Sequence, residues 1–315
     1  MLKRKLFKRI CIIAATLLSI ILIIIFPNKD DELNFEVSNL HIDTGIYLLN
    51  KDEVISRIPI YYDSKNDIDL IYEILAILTI DDGLSYKIKT GFKGIIPKNT
   101  KVLDVTKDKD IVSINFSKDI LNIRDDLEVK MIECIVYSIL SNIDGIKLKL
   151  LVEGNLFKQL PHSKVLLPEL LDKSIKINKV YDINGLDNVN YITVYYPCSE
   201  DDFNYYIPVT NVVNSKNEKI EIIIDELKSS STYNTNVISY INEETELIDY
   251  QILEDSILLN FNDLIFDIDS NKILEEVRYS INLSIKDNYD VSSVMYMVDD
   301  KIIDNYFLLL GWECK

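Results

Sequence analysis

The chain of 315 residues is poor in the residue types that most catalytic motifs need: it has 8 glycines, 7 prolines, 4 cysteines and 2 histidines. So few glycines and prolines exclude collagen-like and low-complexity chains. The two histidines, His41 and His162, do not support a histidine-based triad or an H-E-x-x-H zinc motif. The sequence contains no glycine-rich phosphate loop and no EF-hand spacing. We therefore expect no catalytic residues, no metal site and no cofactor.

Basic residues are also scarce beyond the N-terminus. The first 27 residues hold five of the 34 basic residues and no acid, so the remainder has 29 basic against 51 acidic residues, a net charge of −22. Such a surface repels phosphate backbones, and we expect no nucleic-acid partner. Adjacent acids such as Glu243 and Glu244 resemble the carboxylate pair of a glycosidase. In so acidic a chain, however, they are more typical of solvated turns.

The one long uncharged run extends from Ile10 to Phe26 and follows the basic flank. As a helix it would span about 25 Å, enough for a thin hydrocarbon core. Its length and the lack of a small-residue cleavage site favour an uncleaved anchor over a cleaved signal peptide. The basic flank then stays in the cytoplasm, and the chain beyond Pro27 lies outside the cell membrane. Residues 1–27 are thus predicted as flank and transmembrane anchor, and 28–43 as an acidic stalk.

One stretch of the chain occurs twice. Residues 96–119 read IPKNTKVLDVTKDKDIVSINFSKD, and residues 241–264 read INEETELIDYQILEDSILLNFNDL. Similar strand and helix patterns surround both stretches in the same order, which indicates a tandem duplication. We predict repeat 1 over residues 44–156, a connector over 157–190, repeat 2 over 191–301 and a C-terminal tail over 302–315.

Hydrophobic spacing predicts an α+β fold in which short strands pack on two helices in each repeat. The first helix is predicted to begin at an N-cap, Asp67, and to stop near residue 81. A strand is predicted over 88–96. The repeated stretch supplies residues predicted to lie in the two cores: Ile96, Ile114 and Phe116 in repeat 1, and Ile241, Leu259 and Phe261 in repeat 2.

Tyrosines occur as adjacent pairs in predicted strands, and neighbouring strand residues face opposite ways. One member of each pair can therefore be presented to a sugar or a protein, although ordinary strand composition explains the pairs as well. The candidate interaction surface consists of Tyr62, Tyr196, Tyr206 and, in the tail, Trp312. Cys134 is predicted as a packing residue, and whether Cys198 and Cys314 form a disulfide stays open.

Six segments carry a resemblance to the GerMN-domain family of sporulation and spore germination: RIPIYY (57–62), EILAIL (73–78), IIPKNTKVLDV (95–105), DIVSINFS (110–117), VYSIL (136–140) and LLVEG (150–154). The second copy departs from the family pattern, since Asn242 replaces Pro97 and Asp300 replaces Gly154. This pattern resembles a tandem, membrane-anchored member of the family.

The resemblance implies an extracytoplasmic protein of endospore formation or germination. It further implies a non-enzymatic scaffold whose partners are other envelope proteins of that machinery. A peptidoglycan-binding module is the alternative, and a cell-wall hydrolase is a third hypothesis.

Overall fold

The computed structural model describes residues 44–64, 66–81, 85–200, 203–229 and 240–303. The predicted flank, anchor and stalk, and the tail from residue 304 onward, lie outside this part of the chain. Among the described residues, no helix combines the length and the apolar character needed to cross a membrane.

Both repeats run through the same element order, two strands and a helix, two strands and a helix, then two strands. Repeat 1 contains β1 (Gly45–Leu49), β2 (Ile55–Pro59), α1 (Asp67–Leu78), β3 (Val102–Asp108), β4 (Ile111–Phe116), α2 (Glu128–Leu140), β5 (Lys147–Val152) and β6 (Asn155–Leu156). The connector contributes β7 (Val180–Asp182). Repeat 2 contains β8 (Val189–Glu200), β9 (Phe203–Asn214), α3 (Lys219–Lys228), β10 (Leu247–Ile252), β11 (Ser256–Phe261), α4 (Glu275–Asn288), β12 (Ser293–Val298) and β13 (Lys301–Ile302).

The start and end of α1 differ from the sequence prediction. Its N-cap is Asn66, whose side chain accepts a hydrogen bond from the Asp69 amide. The helix ends at Leu78 because the Leu78 carbonyl accepts hydrogen bonds from the amides of Ile95 and Ile96 instead, at 2.8 and 2.9 Å. The predicted strand over 88–96 is wrong, since only isolated bridges at Lys93 and Ile96 form there. A glycine at 94 permits this contact, because a Cβ would lie 2.5 Å from the Leu78 carbonyl oxygen.

Each repeat builds its own four-stranded sheet, in the order β3-β4-β5-β6 and β10-β11-β12-β13. The two middle strands of each sheet are parallel, which requires a crossover connection, and α2 and α4 supply it. The residues predicted for the two cores are all buried: Ile96, Ile114, Phe116, Ile241, Leu259 and Phe261.

The last hairpin of each repeat explains why an aspartate can replace the family's glycine. Gly154 and Asp300 occupy equivalent turn positions with φ angles of 77° and 62°, a region that glycine and aspartate tolerate better than most residues. Asn115 accepts a hydrogen bond from the Gly154 amide at 2.9 Å. In repeat 2, the equivalent Asn260 donates to the Asp300 carboxylate at 2.7 Å. The aspartate thus keeps the turn and gains a side-chain partner.

A third sheet contains strands from both repeats, in the order β1-β2-β9-β7, with β8 on the other edge of β9. The strands β2 and β9 are equivalent in the two repeats and pair antiparallel, with Arg57 opposite Tyr206. These two residues are themselves equivalent, since the matching Ile-Pro dipeptides follow each of them directly. When equivalent residues meet each other, the two copies are related by a local two-fold axis, as in an isologous dimer.

A pair of buried tyrosines repeats this relation. Tyr47 on β1 and Tyr195 on β8 join their hydroxyl groups at 2.8 Å. Each tyrosine also donates its backbone amide to a serine of its own repeat's second helix, Ser138 or Ser284, at 3.0 Å in both cases. The repeats therefore belong to one compact unit and form a covalently linked pseudodimer.

The connector contacts both repeats. Asn178 donates hydrogen bonds from its side-chain amide to the Ile55 carbonyl of β2 and the Pro208 carbonyl of β9, each at 2.8 Å. Lys173 forms a 2.7 Å salt bridge with Asp287 of α4, whose side chain is buried. Burial opposes a charged Lys173, but the neighbouring Asp287 carboxylate leaves the lysine pKa raised overall. These contacts fix the connector between the two copies.

We expect Asn178→Gly to lower the free energy of unfolding by about 1–3 kcal/mol, because two strand carbonyls lose their partner. Glycine is chosen because residue 178 has a positive φ of 42°, which alanine tolerates poorly. Chemical denaturation measures the loss, and hydrogen exchange should show faster opening of β2 and β9. The exposed Asn217→Gly is the matched control. Equal effects of the two variants would contradict the bridging role.

Candidate interaction surface

The tyrosines predicted to face a partner do not do so. Tyr62, Tyr196 and Tyr206 are all buried, so that prediction is wrong, and Trp312 lies outside the described residues. Two of these hydroxyl groups form hydrogen bonds within the protein. Tyr62 donates to the Gly45 carbonyl at 3.1 Å, and Tyr196 donates to the Glu226 carbonyl at 3.2 Å. Burial raises the pKa of Tyr196 to about 12 and that of Tyr62 and Tyr206 further. Tyr196 and Tyr206 are buried because β8 and β9 are covered on both faces of the shared sheet, whereas Tyr62 lies beyond the end of β2.

Other tyrosines of repeat 1 are exposed instead. Tyr61 and Tyr86 are 72% and 75% exposed, and Tyr72 on α1 is partly exposed at 38%. The sequence predicts Tyr61 and Tyr62 in a strand, but β2 ends at Pro59, and the two tyrosines differ in exposure beyond it. No pair pattern marks Tyr72 or Tyr86, so sequence reasoning had no signal for them.

A charged cluster made of Asp63, Ser64, Glu73 and Lys87 is adjacent in sequence to these tyrosines. Lys87 Nζ contacts Asp63 Oδ2 at 2.7 Å and Glu73 Oε1 at 2.6 Å. Glu73 also accepts hydrogen bonds from the Ser64 amide at 3.0 Å and the Ser64 hydroxyl at 2.6 Å. Each tyrosine lies within two residues of a cluster member, so the cluster fixes the backbone that carries all three rings.

The cluster keeps Glu73 ionised. Burial alone would raise the pKa of Glu73, but the Lys87 ammonium, the Ser64 hydroxyl and two backbone amides together lower it to about 2. Burial also opposes the charge on Lys87, yet the two carboxylates raise its pKa overall. The Glu73 side chain is only 9% exposed, so this is an internal ion pair rather than a solvated one.

We expect the Glu73 cluster to make stability pH-dependent. The pKa of Glu73 falls from 4.5 to about 2 on folding, so its contribution is complete above about pH 4.5 and is lost as the pH falls toward 2. Glu73→Gln should lower the free energy of unfolding at neutral pH by about 1–3 kcal/mol. In this variant the free energy of unfolding should also fall less steeply as the pH is lowered from about 4.5 toward 2. Denaturation curves between these pH values measure both effects. The control variant Glu254→Gln, at an exposed position, should keep the wild-type dependence of stability on pH. If Glu73→Gln keeps it too, Glu73 is not the group responsible for that dependence.

A second exposed feature occurs once in each repeat. The edge strands β3 and β10 each contain a β-bulge, at Leu103 and at Ile248, where the register shifts against the partner strand. Both bulged residues are exposed aliphatic side chains at equivalent positions of the repeated stretch. Bulges commonly re-aim a side chain at a sheet edge, and this one is present in both copies.

The described residues contain no cluster of three or more histidine, cysteine or acidic side chains that could hold a metal ion. Cys134 and Cys198 are buried free thiols, and burial raises the pKa of Cys198 to about 12. Cys314 lies outside the described residues, so the disulfide stays open.

Comparisons with known proteins agree with this architecture. The family model described as Germane, sporulation and spore germination, matches residues 46–157, which is repeat 1. The solved structure of the tandem GerMN domains of the sporulation protein GerM from Bacillus subtilis superposes with a TM-score of 0.72, covering 82% of this chain and 91% of that structure. Repeat 1 thus matches the GerMN-domain family, and both repeats share the tandem GerMN fold.

The identity to that structure is 24%, so the superposition concerns the fold. A curated relative, the spore germination protein GerM of Bacillus subtilis (strain 168), is 29% identical over 220 residues. The aligned region covers 67% of this chain and 59% of that relative. Both GerMN domains of the tandem are thus represented in the fold, including repeat 2, which departs further from the family pattern.

Proposed function

We propose that this chain is a non-enzymatic scaffold in the envelope of sporulating or germinating cells, tethered by residues 10–26 with its bulk outside the cytoplasm. The similarity to GerM supports a role in sporulation or germination. The Germane match to repeat 1 supports the same role.

The scaffold proposal rests on the buried polar contacts between the two repeats. The Tyr47–Tyr195 hydroxyl pair and the Asn178 bridge hold two copies of one small fold in a single orientation. A buried polar contact demands its specific partner, because an unpaired group would lose its hydrogen bond without recovering water. Two bulged edges at a fixed separation suit a protein that positions partners relative to each other.

The scaffold proposal is tested by genetics and chemistry together. Deletion of the gene should lower the yield of heat-resistant spores, and the wild-type chain should restore it. Asn178→Gly, expressed at the wild-type level, should restore the spore yield less well, because the bridge between β2 and β9 is weakened while each repeat keeps its core. The purified full chain should release no soluble muropeptide from cell-wall sacculi. Muropeptide release would favour the hydrolase hypothesis, and normal spores after deletion would overturn the sporulation role.

Peptidoglycan binding is the second candidate, and the exposed tyrosines of repeat 1 favour it. Tyr61, Tyr72 and Tyr86 each lie within two residues of a member of the ion cluster, which holds their backbones in place. Aromatic rings with a polar tip suit contacts with partly polar ligands such as glycan strands. In repeat 2 the residue equivalent to Tyr61 is Thr210, which is buried.

We expect the triple variant Tyr61→Ala, Tyr72→Ala and Tyr86→Ala to weaken sedimentation with purified sacculi. Each lost ring contact is worth about 0.5–1.5 kcal/mol, which together amounts to about tenfold or more in affinity. The matched control replaces Tyr181 and Tyr191, which are exposed elsewhere on the protein. Peptidoglycan binding through these tyrosines would be contradicted if the wild-type chain did not sediment with sacculi. It would also be contradicted if the control variant lost as much binding as the triple variant.

A further inference from the structure

The two bulged edges have the same backbone but different side chains. The strands β3 and β10 are equivalent, each lies at the end of its sheet, and each pairs with one neighbour among the described strands. Lys107 and Asp108 of β3 correspond to Ile252 and Leu253 at the end of β10, as the repeated stretch aligns without a gap. The two equivalent edge strands can therefore be compared within one chain, and they differ in the side chains that they expose.

The edge in repeat 1 is protected against strand pairing. Lys101, Lys107 and Lys109 are exposed along it, and Lys107 reaches Asp67 at the start of α1 at 2.5 Å. Lysines on an edge strand oppose the docking of another strand, because they must be desolvated when a partner pairs there. This edge follows the usual rule for soluble proteins.

The edge in repeat 2 lacks that protection. Ile252 and Leu253 are 56% and 43% exposed, and the bulged Ile248 is 52% exposed. Ile252 is the last residue of β10 and Leu253 follows it directly, so both apolar side chains lie at one end of the exposed edge. An incoming strand would find apolar contact there beside the backbone hydrogen-bonding groups of the edge. Exposed, apolar and unprotected edges are templates for pairing with another chain.

Charge selects the kind of strand that fits. Residues 241–255 contain six carboxylates and no basic residue, whereas the equivalent residues 96–110 contain four lysines and three aspartates. The six are Glu243, Glu244, Glu246, Asp249, Glu254 and Asp255, all exposed. None of them forms a salt bridge within the described part of the chain. Pairing of β10 with β10 of a second copy would place these carboxylates against one another, which is unfavourable.

We propose that the outer edge of β10 is a strand-addition site for an extended segment of a partner protein that alternates apolar residues with lysine or arginine. Main-chain hydrogen bonds supply affinity in this mode, and side-chain contacts supply specificity. Because side chains alternate along a strand, the apolar residues cover Ile252 on one face, and the basic residues meet carboxylates such as Asp249 on the other. This inference names a partner class for the proposed scaffold and rests on that function, but docking is measurable without it.

The test uses the full chain in mild detergent and a labelled synthetic peptide of about nine residues, long enough to span the strand. The peptide alternates valine or threonine with lysine, and its counterpart carries glutamate in place of lysine. Fluorescence anisotropy should give an affinity for the basic peptide that is about tenfold or more above that for the acidic one, and salt should weaken it. Hydrogen exchange with bound peptide should slow the amides of β10 and leave those of β3 unchanged.

Two substitutions locate the site. Ile252→Lys gives β10 the residue that β3 carries, and it should reduce peptide affinity about tenfold or more. Leu103→Lys on β3 is the matched control and should bind as the wild type does. Residue 252 is exposed, so the variant should fold, and circular dichroism checks this.

Each contrary result overturns the proposal. These results are no binding of the basic peptide, equal binding of the acidic peptide, protection of β3, or unaltered binding by Ile252→Lys. Concentration-dependent self-association through β10 would instead assign the edge to a second copy. A normal spore yield after gene deletion, with the peptide still bound, would remove the scaffold role and leave the docking site.

Discussion

The pairing of β2 with β9 is the contact on which the rest of the structure depends. These are equivalent strands of two copies, and each would present an open edge if its repeat stood alone. By pairing at Arg57 and Tyr206, they join the two repeats in one sheet and place the repeats about a local two-fold axis, while β7 pairs farther along the same edge of β9. The buried hydroxyls of Tyr47 and Tyr195 then satisfy one another, which a different docking angle would not allow. The course of the connector and the burial of the central tyrosines both follow from this arrangement.

The two-fold arrangement also left the outer sheets free to diverge. The contact through β2 and β9 is at the centre, so β3 and β10 lie at sheet edges that the pseudodimer does not use. Repeat 1 carries lysines along its edge, whereas repeat 2 carries Ile252, Leu253 and a run of acids. Both copies contain the bulge. A duplicated fold can in this way keep one structural edge and specialise the other.

Local patterns carried much of the architecture. Hydrophobic spacing predicted two helices in each repeat and placed the first of them to within a few residues, and the gap-free repeat placed Phe116 and Phe261 at equivalent buried positions. Which tyrosines are exposed was not predictable in the same way. Alternation along a strand distinguishes two faces, but it does not reveal whether one face or both will be covered. In β8 and β9 both are covered, so Tyr195, Tyr196 and Tyr206 are all buried.

By itself, the sequence determined the duplication, most of the helices and strands, the buried residues of the two cores and the resemblance to a family of sporulation proteins. These depend on the period of apolar residues and on short-range turn chemistry, which are local properties of the chain. Only the tertiary structure decided that the repeats share a sheet, that Tyr61 rather than Tyr62 faces water, and that β10 pairs with a single neighbour among the described strands. Those properties depend on which surfaces meet across about 150 residues of chain, as in the Tyr47–Tyr195 pair. Contacts at that separation arise from packing and leave no periodic trace in the sequence.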